Sequence, residues 1–239
     1  MKNLALVTWS NTEYDDIWPA FFGRLERHLK FEKSYIFLNA QSDNVPEGHT
    51  QLINNENDPF YKRFLECLEQ VEEDYILYFQ EDHIFYDDVD HKKLEELLHY
   101  LEKSDLSFIR LLKSGELGGG LINDNLYSIP STSPYLFSQQ SAIWKKDDLI
   151  RLTKMYKPNA YRDAELYGSV AMASMRMHGG YYYEGEKKRG SMHFDSRIFP
   201  YIATAVCKGQ WNLKQYPRLL NEALEEYGID STIRGHYNG

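Results

Sequence analysis

Residues 75–90 read YILYFQEDHIFYDDVD. An almost unbroken apolar run ends there in five carboxylates, Glu81, Asp82, Asp87, Asp88 and Asp90. A short apolar run rich in aromatic residues is the pattern of a strand buried on both faces. Carboxylates repel one another and are costly to desolvate, so adjacent acids at the end of a packed strand require a compensating partner.

Neighbouring segments supply the rest of a layered fold. LALVTW (4–9) reads as another buried strand; from Asp16, placed to cap a helix, Ile17, Phe21, Leu25 and Leu29 recur every fourth residue. SYIFLNA (34–40) is a further strand and TQLIN (50–54) a possible third. Asp58 and Pro59 mark a helix start, and Phe60, Phe64, Leu68 and Val71 then share one face. A helix over 91–103 aligns Leu94, Leu97, Leu98 and Leu101 ahead of the buried strand LSFIRLL (106–112). Strands alternating with such helices predict an α/β fold with a Rossmann-like, mainly parallel central sheet and helices on both faces. The Gly-rich dinucleotide fingerprint is missing, because TWSNTEYDD follows the first strand, which argues against NAD or FAD.

Beyond residue 113 the pattern changes. SGELGGGLINDNLYSIPSTSP predicts turns and a hairpin at INDN (122–125). YLFSQQSAIWKKDDLIRL reads as a strand running into a helix, NAYRDAELYGSVAMASM as another helix, and LKQYPRLLNEALEEYG as a C-terminal one with Pro217 near its start. With no repeat or low-complexity tract, one domain over residues 1–239 is the expectation.

Composition narrows the function classes. Hydrophobic residues make up 42% and charged residues 26%, ordinary for a soluble domain. No stretch approaches the ~20 apolar residues of a membrane span, and LALVTW is too short for a signal peptide, so no transmembrane segment and a cytoplasmic location are expected. Cys67 and Cys207 lack metal-type spacing and read as buried thiols. The net charge of -9 argues against nucleic acid or a general anionic-membrane surface, leaving only local phosphate contacts. The 19 tyrosines and 4 tryptophans give rings that can stack on sugars and bases or fill the core.

In an open α/β sheet, ligands bind beyond the carboxyl ends of the strands, where Glu81 and Asp82 are predicted to sit. The most economical partner for them is Mg2+ or Mn2+, which takes one or two protein carboxylates and completes its shell with water and substrate phosphates. The alternative is a pair of solvated strand-end acids. Asp87, Asp88 and Asp90 read as acids at the start of the next helix.

The chain resembles a small GT-A glycosyltransferase, the nucleotide-sugar-dependent fold with a metal-binding D-x-D motif at the end of a buried strand. The resemblance rests on VTWSNTEYDDIWPAFF (7–22), YILYFQEDHIF (75–85), YLFSQQSAIWKKDDL (135–149) and YRDAELYGS (161–169). It covers most of residues 1–207 and extends to small transferases of bacterial polysaccharide loci and viruses. It implies a nucleotide-sugar-binding half over 1–112, an acceptor-side half with a small antiparallel part over 113–207, and a helical extension over 208–239. The D-x-D position reads Gln80, Glu81, Asp82, with an amide for the first acid. By resemblance Asp82 is the metal ligand, completed by His193 in YYYEGEKKRGSMHFD, and Glu81 faces the ribose. Thr8, Trp9 and Tyr14 would hold base and ribose, Arg63 a phosphate, and the loop Lys187, Lys188, Arg189 would close over the diphosphate.

An inverting transfer needs a carboxylate base at the start of the helix after the acceptor strand, and YRDAEL offers Asp163 and Glu165, with Asp163 slightly favoured. A retaining enzyme would lack that base. Gln139, Gln140 and Trp144 are the expected acceptor contacts. The implied activity is sugar transfer from a nucleoside diphosphate sugar to a carbohydrate hydroxyl. The alternative is a non-catalytic carbohydrate-binding or degenerate domain, and a sugar nucleotidyltransferase would need a basic Gly-rich loop after strand one.

Overall fold

Each apolar run marked as a strand in residues 4–112 forms one in the computed structural model, which describes residues 3–115, 118–161, 163–190 and 192–238. In chain order these elements are β1 (Leu4–Trp9), α1 (Trp18–His28), β2 (Ser34–Leu38), β3 (Thr50–Ile53), α2 (Phe60–Leu68), β4 (Tyr75–Gln80), β5 (Ile84–Phe85), α3 (His91–Lys103) and β6 (Leu106–Arg110). The second half adds β7 (Leu121–Asn123), β8 (Leu126–Ser128), β9 (Ala142–Lys145), α4 (Lys146–Tyr156), α5 (Asp163–Ser174) and β10 (His178–Tyr182). Five two-residue strands follow, β11 (Lys188–Arg189), β12 (His193–Phe194), β13 (Tyr201–Ile202), β14 (Val206–Cys207) and β15 (Gln210–Trp211), then α6 (Pro217–Glu226) and α7 (Ser231–Arg234).

Nine strands form one sheet in the order β3-β2-β1-β4-β9-β6-β10-β8-β7. β3, β2, β1 and β4 are mutually parallel, as are β6 and β10, so the sheet is mainly parallel. β9 lies antiparallel between β4 and β6, and β8 antiparallel on β10. The reversal of β9 has a simple cause: among the described residues no helix lies between β6 and β9, and a parallel return needs such a crossover.

Side chains alternate across each strand, and both faces are covered. Leu4, Leu6, Leu77 and Phe79 join α1, α3 and α6 in one core, while Ala5, Val7, Ile76 and Tyr78 join α2, α4 and α5 in the other. At the INDN hairpin Asp124 and Asn125 take φ of 23° and 64°, as a two-residue turn requires. Asp90 caps α3 by accepting from the Lys93 amide at 3.0 Å. Asp16 does not cap α1, whose N-cap is Ile17; its carboxylate binds Arg234 instead, with Nε at 3.0 Å. Cys67 is buried as expected, but Cys207 is half-buried.

β10, HGGYY, was not legible as a strand, because two glycines remove the apolar pattern. They are needed there: a Cβ on Gly179 would fall 2.2 Å from Phe108 Cε1 on the adjoining strand.

Candidate active site

Strand register builds the site. Trp9 stands opposite Gln80, and Ala142 lies beside both Tyr78 and Arg110. The carboxyl ends of β1, β4 and β6 and the start of antiparallel β9 therefore open on one edge. Two adjoining cavities lie there. One, of about 320 Å³, is lined by Trp9, Ser10, Asn11, Tyr14, Glu81 and Lys208. The other, of about 440 Å³, is lined by His83, Gln139, Gln140, Glu165 and His193. Gln80, Asp82, Tyr161 and Val206 line both.

Asp82 is held under the segment that follows β13. Its carbonyl accepts from the Ala205 amide at 3.2 Å and its carboxylate from the Val206 amide at 3.4 Å. Gln140 secures the same segment, donating to the Ala203 carbonyl at 3.1 Å and accepting from the Tyr201 hydroxyl at 3.0 Å. Gln80, the amide in place of an acid, donates to the Gln139 carbonyl at 3.2 Å. A carboxylate could not make that bond, so the substitution ties β4 to the loop entering β9.

Burial, and then the charge of Asp82, push the Glu81 carboxyl up to about 8. Burial pushes Asp82 up to about 7, against two backbone amides that favour its charged form. Among the described residues neither acid makes a salt bridge with Lys or Arg; the nearest basic group to Asp82 is His83 Nε2, at 3.9 Å. Burial lowers His83 to about 3, and burial followed by the charge of Arg110 lowers His193 to about 4, so both rings are neutral with a lone pair to offer. No three His, Cys, Asp or Glu side chains among the described residues gather into a metal cage. The two carboxylates are adjacent, half-buried and without a Lys or Arg ion pair among the described residues, a donor set that could serve an ion sharing its shell with substrate.

Glu165 is held by one bond of its own, on a helix anchored one turn further on. Its Oε1 accepts from the Gln139 amide at 2.8 Å. One turn on, Ser169 Oγ accepts from the Phe137 amide at 3.0 Å and donates to the Pro134 carbonyl at 2.9 Å. Gly168 permits the approach, since a Cβ there would lie 2.8 Å from the Phe137 ring. Asp163, the first residue of α5, is not among the crevice-lining residues.

Beneath this cavity lies a residue that sequence reasoning passed over. Arg110 is fully buried, donates from Nη2 to the Tyr135 carbonyl at 3.0 Å, and among the described residues leaves Nε and Nη1 without a hydrogen-bond partner. Burial lowers it to about 10, with Glu165 favouring its charge. The signal was available: an arginine inside LSFIRLL is as anomalous as the acids after YILYFQ.

The other expected site residues divide. Trp9 and Tyr14 line the first cavity, Trp9 edge-on to Phe60 at 5.0 Å with the Arg63 guanidinium 5.3 Å above its ring. Arg63 itself donates to Asn54 at 2.7 Å and steadies that indole. Thr8 is fully buried and lines neither cavity. Trp144 is buried and stacked on Phe108 at 4.3 Å, because its strand position points into the core, so it does not present a ring to an acceptor. Lys187, Lys188 and Arg189 also stand off the crevice. Arg189 binds Asp195 at 2.8 Å, and the Lys188 amine lies 5.7 Å from the Phe194 ring. Among the described residues the Lys or Arg lining the first cavity is instead Lys208, on a turn where Lys208 and Gly209 have φ of 51° and 78°.

The fold is similar to that of the CMP:2-keto-3-deoxy-manno-octonic acid synthetase complexed with CTP, at 10% identity and a TM-score of 0.50 over 75% of this chain and 88% of that one. It is also similar to residues 1–349 of TarS from S. aureus, at 13% identity and a TM-score of 0.52 over 97% of this chain and 68% of that one. No protein-family model and no curated protein matches the sequence. At these identities the likeness establishes the α/β, Rossmann-like fold.

Proposed function

We propose that the chain is a glycosyltransferase that moves a sugar from a nucleoside diphosphate sugar to a hydroxyl of a carbohydrate acceptor, with inversion at the anomeric carbon. The observation that carries this reading is the position of Asp82, shared by an aromatic-rimmed cavity and an amide-and-carboxylate-rimmed one. Trp9 and Tyr14 offer rings for the base, and Ser10 and Asn11 offer polar groups for the ribose. Gln139 and Gln140 face the acceptor. Glu165 takes the proton of the attacking hydroxyl, held in place by the Gln139 amide. Lys208 offsets charge on the departing diphosphate.

Mg2+ or Mn2+ would be held by Asp82, with neutral His193 on the same cavity, and would supply charge neutralisation of the diphosphate leaving group. The fold likeness to a CTP-bound synthetase raises nucleotidyl transfer as a second reading. That chemistry calls for a basic, Gly-rich phosphate loop after β1, and here the loop is Ser10, Asn11, Thr12, Glu13.

A thermal-shift screen of nucleotide sugars, with and without Mn2+, tests the binding step. A donor at a hundred times its Kd should stabilise the fold by about 2.7 kcal/mol, with the larger shift when Mn2+ is present. Shifts from nucleoside triphosphates alone, and none from any nucleotide sugar, would count for the second reading.

A further inference from the structure

Residues 145–176 carry two features that, Tyr161 and Glu165 apart, lie outside the crevice. Eight large apolar side chains stay exposed among the described residues, and five of them, Met155, Tyr161, Leu166, Tyr167 and Val170, fall in this one segment. Leu166 and Val170 are 66% and 64% exposed, one turn apart on α5. The opposite side of that helix buries Ala164, Gly168, Ala171 and Met172. A surface helix of a soluble domain has a polar outer face, so one that is apolar on both sides lacks a partner for the outer one. α4, which carries Met155, packs beside it.

The second feature is charge. Segment 145–176 holds seven Lys or Arg and four Asp or Glu, a net +3 within a chain of -9, so the remainder carries -12. Four of these cations are engaged, Lys145 and Lys146 with the Ser104 and Val71 carbonyls at 2.6 Å, Lys154 with Glu69 at 2.6 Å and Arg151 with Asp148 at 3.0 Å, and Arg162 lies outside the described residues. Lys157 and Arg176, at the ends of α4 and α5, are exposed and form no ion pair among the described residues.

We propose that the exposed face of α4 and α5 docks on an anionic phospholipid bilayer. Apolar side chains at helical spacing, set among basic residues, seat at the boundary of headgroups and acyl chains. Lys and Arg add attraction to anionic headgroups, and the strongly acidic remainder is repelled, which fixes the orientation. A second copy of the chain is the lesser fit, since two such faces would bring net positive segments together. No helix among the described residues is long and apolar enough to cross a membrane, so the association is peripheral. Tyr161 and Glu165 of the same segment line the crevice, so its mouth would open beside the bilayer.

The test is co-sedimentation of the full chain with phosphatidylcholine vesicles, with and without phosphatidylglycerol. Binding is expected only with phosphatidylglycerol and should weaken as salt rises. The doubles L166E/V170E and K157E/R176E should each lose binding roughly tenfold or more. Their circular dichroism and melting temperature should stay as in the parent, and the two variants alter the face by different chemistry. Failure of the parent to bind anionic vesicles, or binding by either double equal to the parent's, would overturn the proposal. So would a dimer in light scattering that L166E/V170E dissolves, which would assign the face to a second copy.

Discussion

Asp82→Asn is expected to lower turnover by about 10²–10³-fold, the range for removing one preorganised charge-stabilising group, while making the protein more stable above neutral pH. The second effect follows from the sign of the titration. Burial raises the folded-state value of Asp82 from 3.8 to about 7, so the folded state holds its proton more tightly than the unfolded chain does. The associated stability is fully present below the unfolded value and is lost as pH rises through the folded one. Each unit of difference is worth about 1.4 kcal/mol, and each kcal/mol shifts the melting temperature of a chain this size by about 2–4 °C. D82N removes the ionisation and relieves Glu81 of a neighbouring charge. Its melting temperature should exceed the parent's by about 5 °C or more at pH 8, and the gap should close near pH 4. Mn2+ should raise the parent's melting temperature at pH 8 and leave D82N unmoved. Superimposable melting-versus-pH curves for the two proteins would show that Asp82 is not the strained, cation-seeking group described here.

Glu165→Gln is expected to cut sugar transfer by about 10²–10⁴-fold with donor affinity unchanged, because the amide retains an oxygen for the Gln139 N–H but cannot take a proton. Asp163→Asn removes an acid from the first turn of α5 but from outside the crevice. The lost helix-dipole effect alone costs about 0.3–1 kcal/mol of stability, and transfer rates should stay within about threefold of the parent. Initial rates for both variants and NMR of the product anomer check this together. A retained anomeric configuration, or a larger loss in D163N than in E165Q, would remove Glu165 from the role of base.

Residues 1–112 were readable because their signals are local. A buried strand that stops on Glu81 and Asp82, and helices striped by Phe60, Phe64, Leu94 and Leu98, follow from periodicity alone. What escaped depends on which partner a segment meets. Trp144 and Gln140 stand four residues apart, and only the pairing of β9 with β4 and β6 sends the indole into the core and leaves the amide at the crevice. Between Asp163 and Glu165, the choice rests on contacts of the loop 134–139 with α5. KKR at 187–189 was the densest positive run, but a short hairpin and Asp195 hold it elsewhere, and Lys208 lines the first cavity instead. Arg110 was visible in the sequence and was overlooked among apolar neighbours.

The most direct measurement is chromatography of the full chain's reaction with a panel of nucleoside diphosphate sugars, Mn2+ and carbohydrate acceptors, run beside D82N. Release of nucleoside diphosphate in step with a glycosylated product, abolished in D82N, is the expected result. Pyrophosphate released from a nucleoside triphosphate and a sugar phosphate, or nucleoside diphosphate release that D82N leaves intact, would contradict it.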